Sequence, residues 1–183
     1  MNTEAGKIAA YLAEHPEYTK VVVALSGDVG FYSGAKKLVE LLGPETKMIC
    51  GISSVVYFMS KIGLSWDDAK IVSAHGKTCN LISLIRENRK VFAILGTNDG
   101  VRNLAEKLTF YGMGDVILHV GENLSYDNEK ILSKQAKELV SYEGDPLSVI
   151  CAYNLKAEPE PATHRSEERR VGKECRSRWS PDH

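Results

Sequence analysis

Ser26, Gly27, Asp28 and Gly30 follow directly on an apolar run, Val21-Val22-Val23-Ala24-Leu25, and a similar arrangement recurs where Gly51-Ile52-Ser53-Ser54 follows Lys47 to Cys50. Small, turn-forming residues at the carboxyl end of a strand let the backbone turn tightly, and open α/β sheets place their ligand crevices at such ends. The same composition suits an ordinary strand-to-helix turn in which Ser and Asp cap the helix, so the loops by themselves leave both readings open. Three further turns of this kind are Ser73-Ala74-His75-Gly76-Lys77, Gly96-Thr97-Asn98-Asp99-Gly100 and Gly121-Glu122-Asn123-Leu124. His75 is the only histidine within such a motif. It either faces a substrate or is hydrogen-bonded as a structural residue. The neighbouring carboxylates Asp67 and Asp68 read as solvated linker rather than as an acid pair.

The remaining composition narrows the chemistry. The chain has 183 residues, 43% of them hydrophobic, and a formal net charge of −1. That is enough for a real core, and it provides no basic stripe for nucleic acid or an anionic membrane surface. Cys50, Cys79, Cys151 and Cys175 are scattered, with no CxxC pair and no histidine at ligand spacing, so neither a metal site nor a disulfide framework is expected. The N-terminus lacks a basic region followed by an apolar core, and no apolar run approaches the roughly 20 residues of a membrane-spanning helix. A cytoplasmic protein acting on small molecules is the expectation.

The loops need elements to hold them. Ile8, Ala9, Tyr11 and Leu12 mark one face of a helix ending near His15-Pro16. Val21 to Leu25 reads as a strand buried on both faces, as in parallel sheets, because its β-branched residues follow one another without polar alternation. Ala35 to Leu42 reads as a helix closed by Gly43-Pro44, Lys47 to Cys50 as a second strand, and Val55 to Ile62 as a helix closed by Gly63. With right-handed crossovers, both strand-to-helix loops should lie on one edge of a parallel sheet and share a crevice. The segment from Leu64 to Asp68 breaks the pattern and is the expected domain boundary. Beyond it come strands at Lys70 to Ser73, Val91 to Leu95, Asp115 to Val120 and Leu147 to Tyr153. Helices are expected around Leu81 to Ile85, from Val101 to Tyr111, and around Ala136 to Val140, with Gly121 to Leu124 as a loop.

From Leu155 onward the Glu-Pro repeats and the charged tail have no apolar period, so residues 156–183 are expected to be disordered. Arg165 to His183 resembles a translated sequencing adapter and is set aside, which moves the net charge to near −3.

Taken in order and spacing, Ser26-Gly27-Asp28-x-Gly30-Phe31-Tyr32-Ser33, Gly51-Ile52-Ser53-Ser54, Ser73-Ala74-His75-Gly76-Lys77 and Gly121-Glu122-Asn123-Leu124 resemble the tetrapyrrole methylases over about residues 15 to 154. Within that family they look like the members that methylate carbon 5 of precorrin-6Y or cobalt-precorrin-7 in cobalamin biosynthesis. The resemblance implies a two-domain α/β fold. Residues 1–66 would form an incomplete N-terminal parallel-sheet domain and residues 67–155 a mixed-sheet C-terminal domain. It also implies S-adenosylmethionine between the domains, touched by Gly27, Asp28, Ser53 and Ser54 from one side and by Leu95, Gly96, Thr97, Asn123 and Leu124 from the other. His75 and Gly76 would lie nearer a precorrin or cobalt-precorrin substrate. The carboxylates of that substrate call for cations, for which Lys77 and Arg102 are the candidates.

The family's early strand, with its Gly-x-Gly-Pro-Gly loop, has no counterpart before Val21, so an N-terminal strand and helix are expected to be missing. Val29 stands where the family usually has proline. A decarboxylating methyltransferase partner and a homo-oligomer are the partners the resemblance suggests. The competing readings are a relative that methylates ribosomal RNA or protein, and an inactive fragment that binds no cofactor.

Overall fold

The computed structural model describes residues 4–74 and 80–158. Its centre is a five-stranded mixed sheet of β1 (Lys70–Ser73), β2 (Lys90–Ile94), β3 (Ile117–Glu122), β4 (Lys130–Gln135) and β5 (Ser148–Tyr153), in the spatial order β1-β2-β5-β3-β4. The β1 and β2 strands run parallel, and the other pairings are antiparallel. The carboxyl ends of β1, β2 and β3 therefore lie on the edge where β4 and β5 begin. That edge carries the later Gly-containing loops.

Alternation along β2 assigns the two faces of the sheet. Val91, Ala93 and Leu95 join one core cluster, with Leu118, Val120, Ile150 and Ala152 from neighbouring strands. This face is covered by α4 (Leu81–Glu87) and α5 (Gly100–Phe110) through Ile85, Val101, Leu104 and Leu108. Phe92, Val149 and Cys151 point the other way, against Val55, Phe58 and Met59 of α3 (Ser54–Lys61). Burying a large apolar side chain contributes roughly 1.5–3 kcal/mol, whereas a helix cap contributes about 1 kcal/mol. Packing on the sheet, more than its cap, therefore holds α3 in place. Two further helices, α1 (Ala5–Glu14) and α2 (Ala35–Leu42), pack on each other.

The helices read from periodicity in the first half are all present, and so are the strands beginning at Lys70 and Val91 and the final strand. The two N-terminal strands are not. Val21 to Leu25 and Lys47 to Cys50 have no regular secondary structure. Val22 is 92% exposed, where burial on both faces is expected of its strand, and Ile49 is 82% exposed. β-Branched residues favour a strand only when a neighbouring backbone completes the ladder, and every strand of the described sheet comes from residue 70 onward.

A second correction concerns the helix expected around Ala136 to Val140. Only Ala136–Glu138 turns, as a single 3₁₀ turn, and it follows β4, a strand that no expectation covered and that pairs with β3 along its whole length. Lys130, Ser133 and Lys134 on this edge strand hide its β character, because a strand paired on one side tolerates charges where it faces water. The loop expected at Gly121 starts two residues later, since Gly121 and Glu122 pair with Val149 and Ser148.

The expected boundary at Leu64 to Asp68 is pinned to the sheet. Leu64 packs on the α3 cluster, while the buried Lys90 ammonium pairs with Asp68 and donates to the Ser65 carbonyl at 2.8 Å. Lys156 and Glu158, placed in the disordered tail by composition, are tied back by backbone N–H bonds to Asn154 Oδ1 and to the Arg86 carbonyl. The rest of that tail lies outside the described residues.

Candidate functional site

The Gly27-Asp28 loop owes its shape to the Asp28 carboxylate. Oδ1 accepts the Gly30 N–H at 2.8 Å, closing the turn, and Oδ2 accepts the Gly51 N–H at 3.0 Å. Gly27 has φ +78°, which glycine adopts without strain. Gly51 passes so close that a Cβ there would lie 2.2 Å from the Gly27 carbonyl oxygen. The two loops expected to form one crevice lip are thus joined, by a carboxylate rather than by a strand ladder. Two residues on, Ser53 is buried and its Oγ accepts the Val56 N–H at 3.4 Å, capping α3 where Ser54 begins it. Phe31 from the first loop, Val55 from α3 and Leu124 from the fourth loop meet in the apolar cluster on the α3 face.

On the opposite face, Leu95, Gly96 and Thr97 line a cleft of about 550 Å³ between α4 and α5, within the usual range for small-molecule sites. Asn80, Asn103 and the cations Arg86 and Lys107 complete its polar wall. The motif pattern did not single out Arg86 or Lys107. The available signal was the four-residue spacing of Asn103 and Lys107, which puts both on one face of α5. Arg102 has a different environment, paired with Asp99 at 2.6 Å within the first turn of its own helix. His75, Gly76 and Lys77 lie outside the described residues, between Ala74 and Asn80, both of which line the cleft. Phe31 and Leu124 belong to the α3 face of β2 and the cleft to the face of Ala93, so the described residues do not bring the expected cofactor contacts into one cavity: Leu95, Gly96 and Thr97 line the cleft, and Gly27, Asp28, Ser53, Ser54, Asn123 and Leu124 do not.

The fourth loop is held from both sides. Asn123 takes φ +49°, its N–H bonds to the Leu147 carbonyl at 3.0 Å, and its Nδ2 donates to Asp145 Oδ2 at 2.8 Å. Ahead of it, the buried Glu122 carboxylate accepts the Tyr142 hydroxyl and the Asp145 N–H, each at 2.9 Å. Beyond it, Glu129 accepts the Ser125 N–H at 2.8 Å and the Tyr57 hydroxyl at 2.7 Å, and pairs with Lys61 at 3.2 Å. The Ser125 N–H and the Tyr57 hydroxyl, helped by Lys61, hold the Glu129 carboxyl below its ordinary value. The local sequence does not mark Glu122 or Glu129 as loop anchors, because the hydroxyls of Tyr142 and Tyr57 that they hold are 20 and 72 residues away.

Among the described residues there is no cluster of three or more His, Cys, Asp and Glu suited to a metal ion, and no helix is long and apolar enough to cross a membrane. Cys151 is sealed beneath α3, and burial pushes its thiol up to about 12. That makes it a packing group rather than a nucleophile.

A family model for Tetrapyrrole (Corrin/Porphyrin) Methylases matches residues 3–140. The chain belongs to this family. It is 32% identical over 132 residues to the cobalt-precorrin-7 C(5)-methyltransferase of Salmonella typhimurium, covering 72% of this chain and 65% of the relative. It is 33% identical over 147 residues to the probable cobalt-precorrin-7 C(5)-methyltransferase of Methanocaldococcus jannaschii, covering 76% of this chain and 67% of that one. The methylase fold is seen again in uroporphyrin-III C-methyl transferase from Thermus thermophilus, whose crystal structure is a complex with S-adenyl homocysteine. There the TM-score is 0.63 at 17% identity, over 80% of this chain and 69% of the other. The chain spans 65% of the length of its Salmonella relative.

Proposed function

We propose that this methylase transfers a methyl group from S-adenosylmethionine to carbon 5 of precorrin-6Y or cobalt-precorrin-7. The observation that carries the reading is the identity of 32–33% to two C(5)-methyltransferases. The cleft and junction support it. A nucleoside-sized cofactor needs an apolar wall, hydroxyl and amide partners, and a counter-charge for its carboxylate. The 550 Å³ cleft offers Leu95 and Leu104, Thr97 with Asn80 and Asn103, and Arg86 with Lys107. S-Adenosylmethionine supplies an electrophilic methyl group on its sulfonium, so the protein's task is positioning and electrostatics rather than covalent catalysis.

On this reading residues 1–66 and 67–155 act as two domains, and their loops contribute from the two faces of the sheet. Gly27, Asp28, Ser53 and Ser54 fix one lip. Leu95, Gly96, Thr97, Asn123 and Leu124 contribute the other. Arg86 and Lys107 of the cleft join Lys77 and Arg102 as candidate cations for the carboxylates of the substrate, and His75 and Gly76 are the proposed substrate-side residues.

Incubation with methyl-labelled S-adenosylmethionine and either corrinoid tests the proposal, with ribosomal RNA and bulk protein as alternative acceptors. Label is expected in the corrinoid, released as a carbon-methylated product. Label in RNA or protein alone, or the absence of S-adenosylhomocysteine binding by calorimetry, overturns it.

A further inference from the structure

Glu122 is a buried carboxylate that the transfer chemistry does not call for. It ends β3 with its side chain 5% exposed, directly opposite Ser148 across the ladder. A carboxylate removed from water requires hydrogen-bond donors, and here they come from one short segment. The Tyr142 hydroxyl reaches Oε2 and the Asp145 N–H reaches Oε1, each at 2.9 Å. Lys130 stands 3.9 Å from Oε2 and lies over the Tyr142 ring at 4.7 Å, shielding the pair from solvent. The turn from Tyr142 to Asp145 is in turn the support of two loops. Asp145 Oδ2 holds the Asn123 side chain at 2.8 Å, and Asn123 sits in a left-handed conformation that costs energy without such a hold. Gly144 fits against the Gly96-to-Asp99 loop so closely that a methyl group there would lie 2.9 Å from Glu122 Oε1 and 3.3 Å from the Asn98 carbonyl oxygen.

We infer that Glu122 is a positioning residue. By clamping the turn at Tyr142 to Asp145, it sets the relative placement of the Gly96-to-Asp99 loop and the Asn123-Leu124 loop, the two walls that the second half of the chain gives to the cofactor site. The inference rests on the proposed function for its ligand, but its geometric content does not. The aromatic and the amide donor reach the carboxylate from residues 20 and 23 positions away, so one side chain ties β3 to the turn before β5, and Gly144 of that turn rests against Asn98 of the loop after β2.

The test uses the full chain with S-adenosylhomocysteine as probe and amide hydrogen exchange as a ligand-free readout. Glu122→Ala is expected to weaken binding at least tenfold and to speed exchange at residues 97–99 and 123–125, with exchange in β2 and β5 unchanged. Glu122→Gln keeps an oxygen for the Asp145 N–H and an amide group to meet the Tyr142 oxygen, and should stay within threefold of wild type. Gly144→Ala keeps the carboxylate group but crowds its Oε1 and the Asn98 carbonyl, disturbing the same junction from the turn side, and should reproduce the binding loss of Glu122→Ala. Wild-type affinity and wild-type loop exchange in Glu122→Ala overturn the inference, as does a rise in exchange spread evenly over the whole sheet. Should the wild-type chain fail to bind the probe, the proposed function falls, and the loop exchange in Glu122→Ala still decides the role of Glu122.

Discussion

The Gly51 N–H donates to Asp28 Oδ2 at 3.0 Å across 23 residues of chain, and the Gly51 Cα stands so near Gly27 that a Cβ would come within 2.2 Å of its carbonyl oxygen. Two loops that begin from segments without strand structure are therefore locked by a hydrogen bond and a close backbone approach. Gly51→Ala cannot be accommodated without separating them, because the obstacle is backbone rather than a flexible side chain. The variant should lose at least tenfold in S-adenosylhomocysteine affinity by calorimetry while keeping the far-ultraviolet circular dichroism of the sheet and helices. Unchanged affinity would show that this junction is not a wall of the site.

Ser53 supplies the only side-chain cap seen on α3, through the Val56 N–H. Ser53→Ala should lower stability by about 1 kcal/mol in urea denaturation, and Ser53→Asp should restore most of it by supplying another acceptor at the same place. The loss should stay near that size because the apolar face of α3 remains buried.

Phe58 and Gly121 make a complementary pair in the α3 cluster. Phe58 is fully buried, and a Cβ at Gly121 would lie 2.6 Å from its ring. Phe58→Ala should cost about 3–5 kcal/mol by leaving a cavity, and Gly121→Ala about 1–3 kcal/mol by overpacking. Each effect is read from the midpoint of chemical denaturation. A double variant should be less destabilised than the sum, since the methyl group partly fills the space the ring vacates.

Glu129 predicts a pH dependence. Its carboxyl is held below the ordinary value chiefly by the Ser125 N–H and then by the Tyr57 hydroxyl. A lowered folded-state pKa stabilises the protein above the unfolded value near 4.5, and that stabilisation is lost as pH falls through the lower folded value. The melting temperature should therefore drop as pH is taken from about 5 toward 3, and Glu129→Gln should flatten part of that slope. The remainder belongs to groups such as Asp115, which Lys137 and Lys156 also hold low.

The exposed Cys50 and the buried Cys151 should differ in reactivity. At pH 8 a thiol reagent is expected to modify Cys50 in the native chain and to reach Cys151 only on unfolding, as read by peptide mass mapping. Native labelling of Cys151 would show that the α3 face opens.

Local pattern revealed the helices from Ala5, Ala35 and Ser54 because each shows an apolar stripe at helical spacing and a terminating residue such as Gly43 or Gly63. It also revealed β2, whose apolar run is buried on both faces of the sheet. It missed β4, where the strand is imposed by pairing with β3 and Lys130, Ser133 and Lys134 face water. It overread Val21 to Leu25 and Lys47 to Cys50, because apolar β-branched residues state a preference that only a neighbouring strand can satisfy.

For the site, the sequence by itself named the candidate loops. Gly, Ser, Asp and Asn at the ends of apolar runs have conformational and hydrogen-bonding properties that need no distant partner, and their order identified the family. Only the tertiary structure decided what those residues do. Asp28 bonds to Gly51, Asn123 to Asp145, and Glu122 to Tyr142, over separations of 20 to 23 residues. A carboxylate's role depends on which donors the fold brings within about 3 Å, and no spacing along the chain encodes that.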